Sequence, residues 1–140
     1  MTHLEKALMY YRKAHVLLTE AEKDLQIQCY HKAISAFYFA IEAIANVLLA
    51  IKKQKTRGFS GRLAVIRQIL GAELSSEIKN IHEMREKADH REQILSKEIA
   101  IKIAEKARNI FMKIKIEAEK ELEKQGVKIK DHEGNFSALG

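Results

Sequence analysis

One hundred and forty residues with a net charge of +6, no proline, six glycines and a single cysteine suit one domain of ordinary size and exclude an intrachain disulfide or a multi-cysteine metal site. Lys, Glu, Ile, Ala and Leu dominate, which favours helix nearly throughout. The N-terminus is charged and amphipathic, without the uniform apolar stretch of a signal peptide, so a cytoplasmic location is expected.

Thr2 followed by Glu5 fits a capping box, and Leu4, Ala7, Leu8, Tyr11, Ala14, Leu18, Ala21 and Leu25 recur at helical spacing. They predict a first helix over about residues 3–24. A second, over about 28–54, would be roughly 40 Å long. Cys29 stands beside its apolar run and is expected to be a buried, inert thiol. Gly58, Ser60 and Gly61 interrupt the pattern, and Ser60 could cap a short third helix ending at Gly71. A fourth helix is expected from Leu74 or Ser75 towards Asp89. Ser96, Ile99, Ile103, Ala107, Ile110, Phe111, Ile114 and Ala118 mark a fifth, closed near Gly126. Period-two alternation is missing. The expected fold is all-α, an up-and-down bundle of four long helices plus a short extra one. One domain over 1–125 and a flexible tail over 126–140 are expected.

The second helix is apolar on most sides. From Ala33 to Ile51 only Ser35, Glu42 and Asn46 interrupt the run, and Glu42 near its middle argues against a membrane span. At 100° per residue these three fall within roughly 40° of one another, with His31 and Tyr38 flanking them. This narrow polar seam is a solvated face, a set of internally satisfied groups, or the lining of a cleft facing the fourth helix, with Glu42 or His31 near Arg85. So much apolar surface on one helix suggests burial against a second copy of the chain.

The excess charge is local. Lys52, Lys53, Lys55, Arg57, Arg62 and Arg67 have no acidic residue among them, and the rest of the chain is balanced. Such a group can hold phosphates or an acidic partner, or remain a solvated loop. The six histidines form no metal-ligand pattern, no Glu-x-x-His pair is present, and neither metal nor cofactor is called for.

The stretch Ile81-His82-Glu83-Met84-Arg85-Glu86-Lys87-Ala88-Asp89-His90 carries the chemistry. Arginine can grip a phosphate with two parallel hydrogen bonds, and histidine exchanges protons near neutral pH. Five helical positions turn Arg85 and His90 about 140° apart, so they converge only if the helix ends or bends near Asp89, or across a dimer axis. Arg85 and Asp89 also have the spacing of a surface ion pair.

This pattern resembles the Arg-(four to six residues)-His signature of the HEPN family, the higher eukaryotes and prokaryotes nucleotide-binding domains. The stretch from Cys29 to Glu42, with Ala36-Phe37-Tyr38-Phe39-Ala40 at its centre, is similar to the family's second helix. Lys55-Thr56-Arg57-Gly58-Phe59-Ser60-Gly61 is similar to the loop that follows it in short prokaryotic members. The resemblance spans about residues 4–124 and implies a helical bundle, a two-fold homodimer with a composite cleft, and metal-independent cleavage of RNA by Arg85 and His90, with Asp89 orienting one of them. It equally allows a non-catalytic nucleotide- or nucleic-acid-binding module paired with a minimal nucleotidyltransferase antitoxin. Two positions depart from the family's patterns. Glu86 follows the arginine where nucleases often carry Asn, Asp or His, and Glu92 stands where one subgroup of toxins carries a tyrosine that the partner modifies.

Overall fold

A computed structural model describes residues 1–90, 95–131 and 133–138; Glu92 and His132 lie outside the described residues. The chain is all-α in its main body, with five helices: α1 (His3–Gln26), α2 (Tyr30–Ile51), α3 (Gly58–Leu70), α4 (Ala72–Asp89) and α5 (Lys97–Lys124). The Thr2 hydroxyl accepts from the Glu5 amide at 3.0 Å and the Ser96 hydroxyl from the Ile99 amide at 3.2 Å. Each satisfies one of the donors that a helix start leaves open. Ser60 is not a cap. α3 begins two residues earlier, and Gly71, at φ 98, is the single residue between α3 and α4. α2 stops at Ile51, where Lys53 turns to φ 56, so the lysine-rich stretch is a connector rather than helix.

α2 is the centre of the bundle. Ile34, Phe37, Ile41, Ile44, Val47 and Leu48 are almost fully buried, and α1, α4 and α5 pack around them. On α1 the facing residues Ala7, Ala14 and Ala21 have no exposure at all, and such small side chains let two helix backbones approach closely. α5 contributes Ala104, Ala107, Ile110, Phe111 and Ile114. Arg108 on α5 clamps Glu22 of α1 through two 2.6 Å hydrogen bonds. The enclosure of α2 is therefore met inside one chain, and its apolar surface no longer argues for a second copy. α2 is long and apolar enough to cross a membrane, yet 72% of that stretch is buried within the protein, as expected of a core helix. Cys29, expected to be buried, is exposed, because it precedes α2 and the buried positions begin only at Ala33.

The expected tail contains ordered structure. Val127–Ile129 (β1) pairs antiparallel with Phe136–Ala138 (β2), Val127 opposite Ala138. Asp131 closes the turn by accepting from the amides of Glu133 and Asn135 and from the Asn135 side chain. Val127 is buried, and the Phe136 ring meets Tyr11 edge-on at 6.1 Å with Arg12 above it. Three-residue strands are too short to show alternation, and tertiary contacts hold them.

Gly134, at φ +91, leaves no room for a side chain: an added Cβ would lie 2.7 Å from Cγ of His15. Gly134→Ala should therefore cost about 1–3 kcal/mol. Urea unfolding followed by helical circular dichroism measures the loss, and limited proteolysis should locate new cleavage in the hairpin.

Candidate functional site

α4 ends at Asp89, and His90 is its C-cap at φ −85, ψ 0, with its amide bonded to the Glu86 carbonyl at 3.0 Å. His90 therefore keeps the i→i−4 bond of the last helical turn, and the chain leaves the helix after it. Arg85 leans inward: its guanidinium lies 4.6 Å from the ring centre of Phe39 and 5.3 Å from that of Tyr38, both on α2. Such a stack combines cation–π attraction with apolar cover. Its Nε stands 3.2 Å from Asp89 Oδ2, an ion pair in which the buried N–H is not aligned as a hydrogen bond. Asp89 Oδ1 accepts from Ser35 Oγ at 2.9 Å, so one carboxylate ties α4 to α2 and holds Arg85 at the junction. The His90 side chain is exposed and forms no hydrogen bond or ion pair with a described residue.

One turn back on α4, His82 stacks on Phe59 of α3 at 3.7 Å, nearly parallel, and lies 5.2 Å from Tyr38. Its Nε2 is 3.0 Å from Glu86 Oε1, while its Nδ1 is buried without a hydrogen-bond partner. Glu86 is thereby drawn towards His82. The polar seam of α2 is mostly satisfied from within. Glu42 Oε2 accepts from Tyr38 Oη at 2.9 Å and from Arg62 Nη2 at 2.8 Å. Burial raises the Tyr38 pKa, reinforced by the charge of Glu42 and the bond to it. The expected approach of Glu42 to Arg85 is not made, because Arg62 on α3 takes that carboxylate. His31 is half-buried one turn before Ser35, with its Nε2 unpartnered. Asn46 lines a valley between α1 and α2.

The basic group is reduced by one. Arg62 is neutralised by Glu42, whereas Lys52, Lys53, Lys55, Arg57 and Arg67 are exposed with no acidic partner among the described residues. Among those residues, no three His, Cys, Asp or Glu side chains are placed to hold a metal ion.

A second polar cluster lies under the hairpin, and sequence reading missed it. The Tyr11 hydroxyl donates to Glu119 at 2.5 Å, and His15 Nδ1 is 2.8 Å from the Tyr11 carbonyl. Lys115 is only 3% exposed. Burial lowers the pKa of Lys115, against the opposing charges of Glu119 and Asp131. Burial also lowers that of His15, whose Nε2 has no hydrogen-bond partner. The available signal was Lys115 itself, a charge within the apolar stripe of Phe111, Ile114, Ala118 and Leu122. No family model and no curated protein matches this chain.

His15 supplies a pH test with a definite sign. Its folded-state pKa lies below the ordinary 6.5, so as pH falls through that value the unfolded chain binds a proton that the folded one refuses. Stability should drop with acidification, and His15→Gln should flatten the drop. Thermal melts of both proteins at neutral and mildly acidic pH measure it.

Proposed function

We propose that this chain is a HEPN-like ribonuclease in which Arg85 holds a phosphate of the RNA backbone and His90 accepts the proton of the adjacent 2′-hydroxyl. The observation that carries the reading is the end of α4 at Asp89, which leaves His90 exposed at the C-cap, five positions after an arginine held against α2. The order of a long helical hairpin, a short third helix and two further helices supports the same family reading. The 2′-oxygen attacks phosphorus, and the bond to the 5′-oxygen breaks. That oxygen leaves with the proton returned by the imidazolium, giving a 2′,3′-cyclic phosphate and a 5′-hydroxyl. Arg85 offsets the charge that builds on the phosphoryl oxygens, and the step requires no metal. With Nε facing Asp89, the outer edge of the guanidinium remains for phosphate. His90 needs a partner to fix its ring, and a second copy across a two-fold axis would supply one.

A second reading rests on the ion pair of Arg85 with Asp89 and on the absence of any described group orienting His90. In it the same helix end binds nucleotide or nucleic acid without cutting it, beside a small nucleotidyltransferase partner.

Incubating RNA with the protein in EDTA separates the two. For a nuclease, Arg85→Ala and His90→Ala should each lower cleavage by about 10²-fold or more. The double variant should be little worse than either single one, because groups acting as a unit are non-additive. RNA bound but left intact, and released by Arg85→Ala alone, would favour the binding module. Sedimentation at micromolar concentration should give a dimer, and a monomer that cleaves RNA would remove the composite site.

A further inference from the structure

α1 turns Ala7, Tyr11, Ala14 and Ala21 to the core. Its opposite face is not the polar surface that such a helix ordinarily shows to water. At 100° per residue Glu5, Met9, Arg12 and Val16 fall within roughly 60° of one another. Met9 and Val16 are 44% and 53% exposed. With Met1, Leu8 and the Phe136 ring of the hairpin, these residues line an open groove of about 800 Å³. The apolar side chains follow one another along the helix as a strip, where scattered single ones would need no explanation.

Two charges interrupt the strip, one of each sign. Glu5 and Arg12 are exposed, seven residues apart, and neither forms an ion pair with a described residue. The hairpin helps to hold Arg12, whose guanidinium lies 4.9 Å from the ring centre of Phe136. This order of residues is its own complement. A two-fold axis midway between Leu8 and Met9 lays the strip on an antiparallel copy of itself. Leu8 then meets Met9, Glu5 meets Arg12, and Val16 meets Met1, each pairing occurring twice. Packed helices lie about 8–10 Å apart, a gap that a glutamate and an arginine together span. Methionine adapts its shape to such a contact. A lipid surface would leave Glu5 unanswered among apolar side chains, whereas a second copy answers it.

We propose that this face of α1 docks against the same face of α1 in a second copy, antiparallel, with Glu5 of each chain paired to Arg12 of the other. The apolar strip supplies the attraction, and the two ion pairs fix the register and direction. α2 has no part in the contact, since its own chain already encloses it. Arg85, Asp89 and His90 are not on the strip, so the contact stands whether or not that helix end cleaves RNA.

Sedimentation equilibrium of the whole chain across micromolar concentrations tests the register, with helical circular dichroism confirming that each variant is folded. Glu5→Lys and Arg12→Glu should each weaken pairing by about tenfold or more, because the two-fold axis turns one reversal into two like-charge contacts. Mixing the two single variants, or joining both substitutions in one chain, should restore the dimer, since every base then faces an acid. Met9→Cys, in a Cys29→Ser background because Cys29 is exposed, should form an interchain disulfide on oxidation. Met112→Cys, equally exposed but on α5, should not. A monomeric wild type, reversals that mixing does not rescue, or cross-linking through Met112→Cys but not Met9→Cys would overturn the proposal. So would a dimer that neither reversal disturbs, which would assign pairing to another surface and leave the reading of the Arg85–His90 end untouched.

Discussion

The enclosure of α2 is the constraint on which the rest of this structure depends. On a helix surrounded by its own chain, an unmatched buried polar group costs about as much as several good contacts return. Ser35 is answered by Asp89 of α4 and Glu42 by Arg62 of α3. These two bonds do more than satisfy donors and acceptors. They determine which side of α2 the α3–α4 segment lies on, and so where Arg85 meets the Phe39 and Tyr38 rings. The position of the arginine follows from the needs of the core helix.

Two kinds of polar grouping result, and they differ in access to solvent. At the end of α4 the charges are partly exposed, and His90 remains available. Under the hairpin, Tyr11, His15 and Lys115 are shut away, with proton affinities displaced by burial. The first arrangement suits contact with a ligand. The second makes the short hairpin part of the folded core, because Asp131 lies within electrostatic reach of both His15 and Lys115.

Much of this was legible in the residues. Helical spacing placed all five helices, and Thr2 and Ser96 marked two starts, because a cap is a local interaction between near neighbours. The narrow seam on α2 was visible from rotation alone. Its partners were not: the bond from Arg62 to Glu42 joins residues 20 apart in sequence, and that from Ser35 to Asp89 joins residues 54 apart. For the same reason Arg62 stood in sequence among cations with no acid near them, while in the fold Glu42 meets it. The hairpin was missed because its strands borrow their stability from Tyr11 and Arg12, more than a hundred residues earlier in the chain. Ser60 misled because its hydroxyl can cap a helix, but α3 had already begun at Gly58.

Gly71 is the whole of the joint between α3 and α4. With one residue between them, α3 and α4 behave as the two arms of a bent lever, clipped near the elbow where the Ser75 hydroxyl meets the Leu63 carbonyl at 3.3 Å. Each arm is riveted to α2 near a different end of the seam, one by Arg62 and the other by Asp89. An extra residue at the elbow would add two rotatable backbone dihedrals and redirect α4 relative to α3. Both rivets could not then close together, and either the Glu42 or the Arg85 end would spring free. The spacing of the two cations along α2 is thus gauged by the length of a single-residue joint.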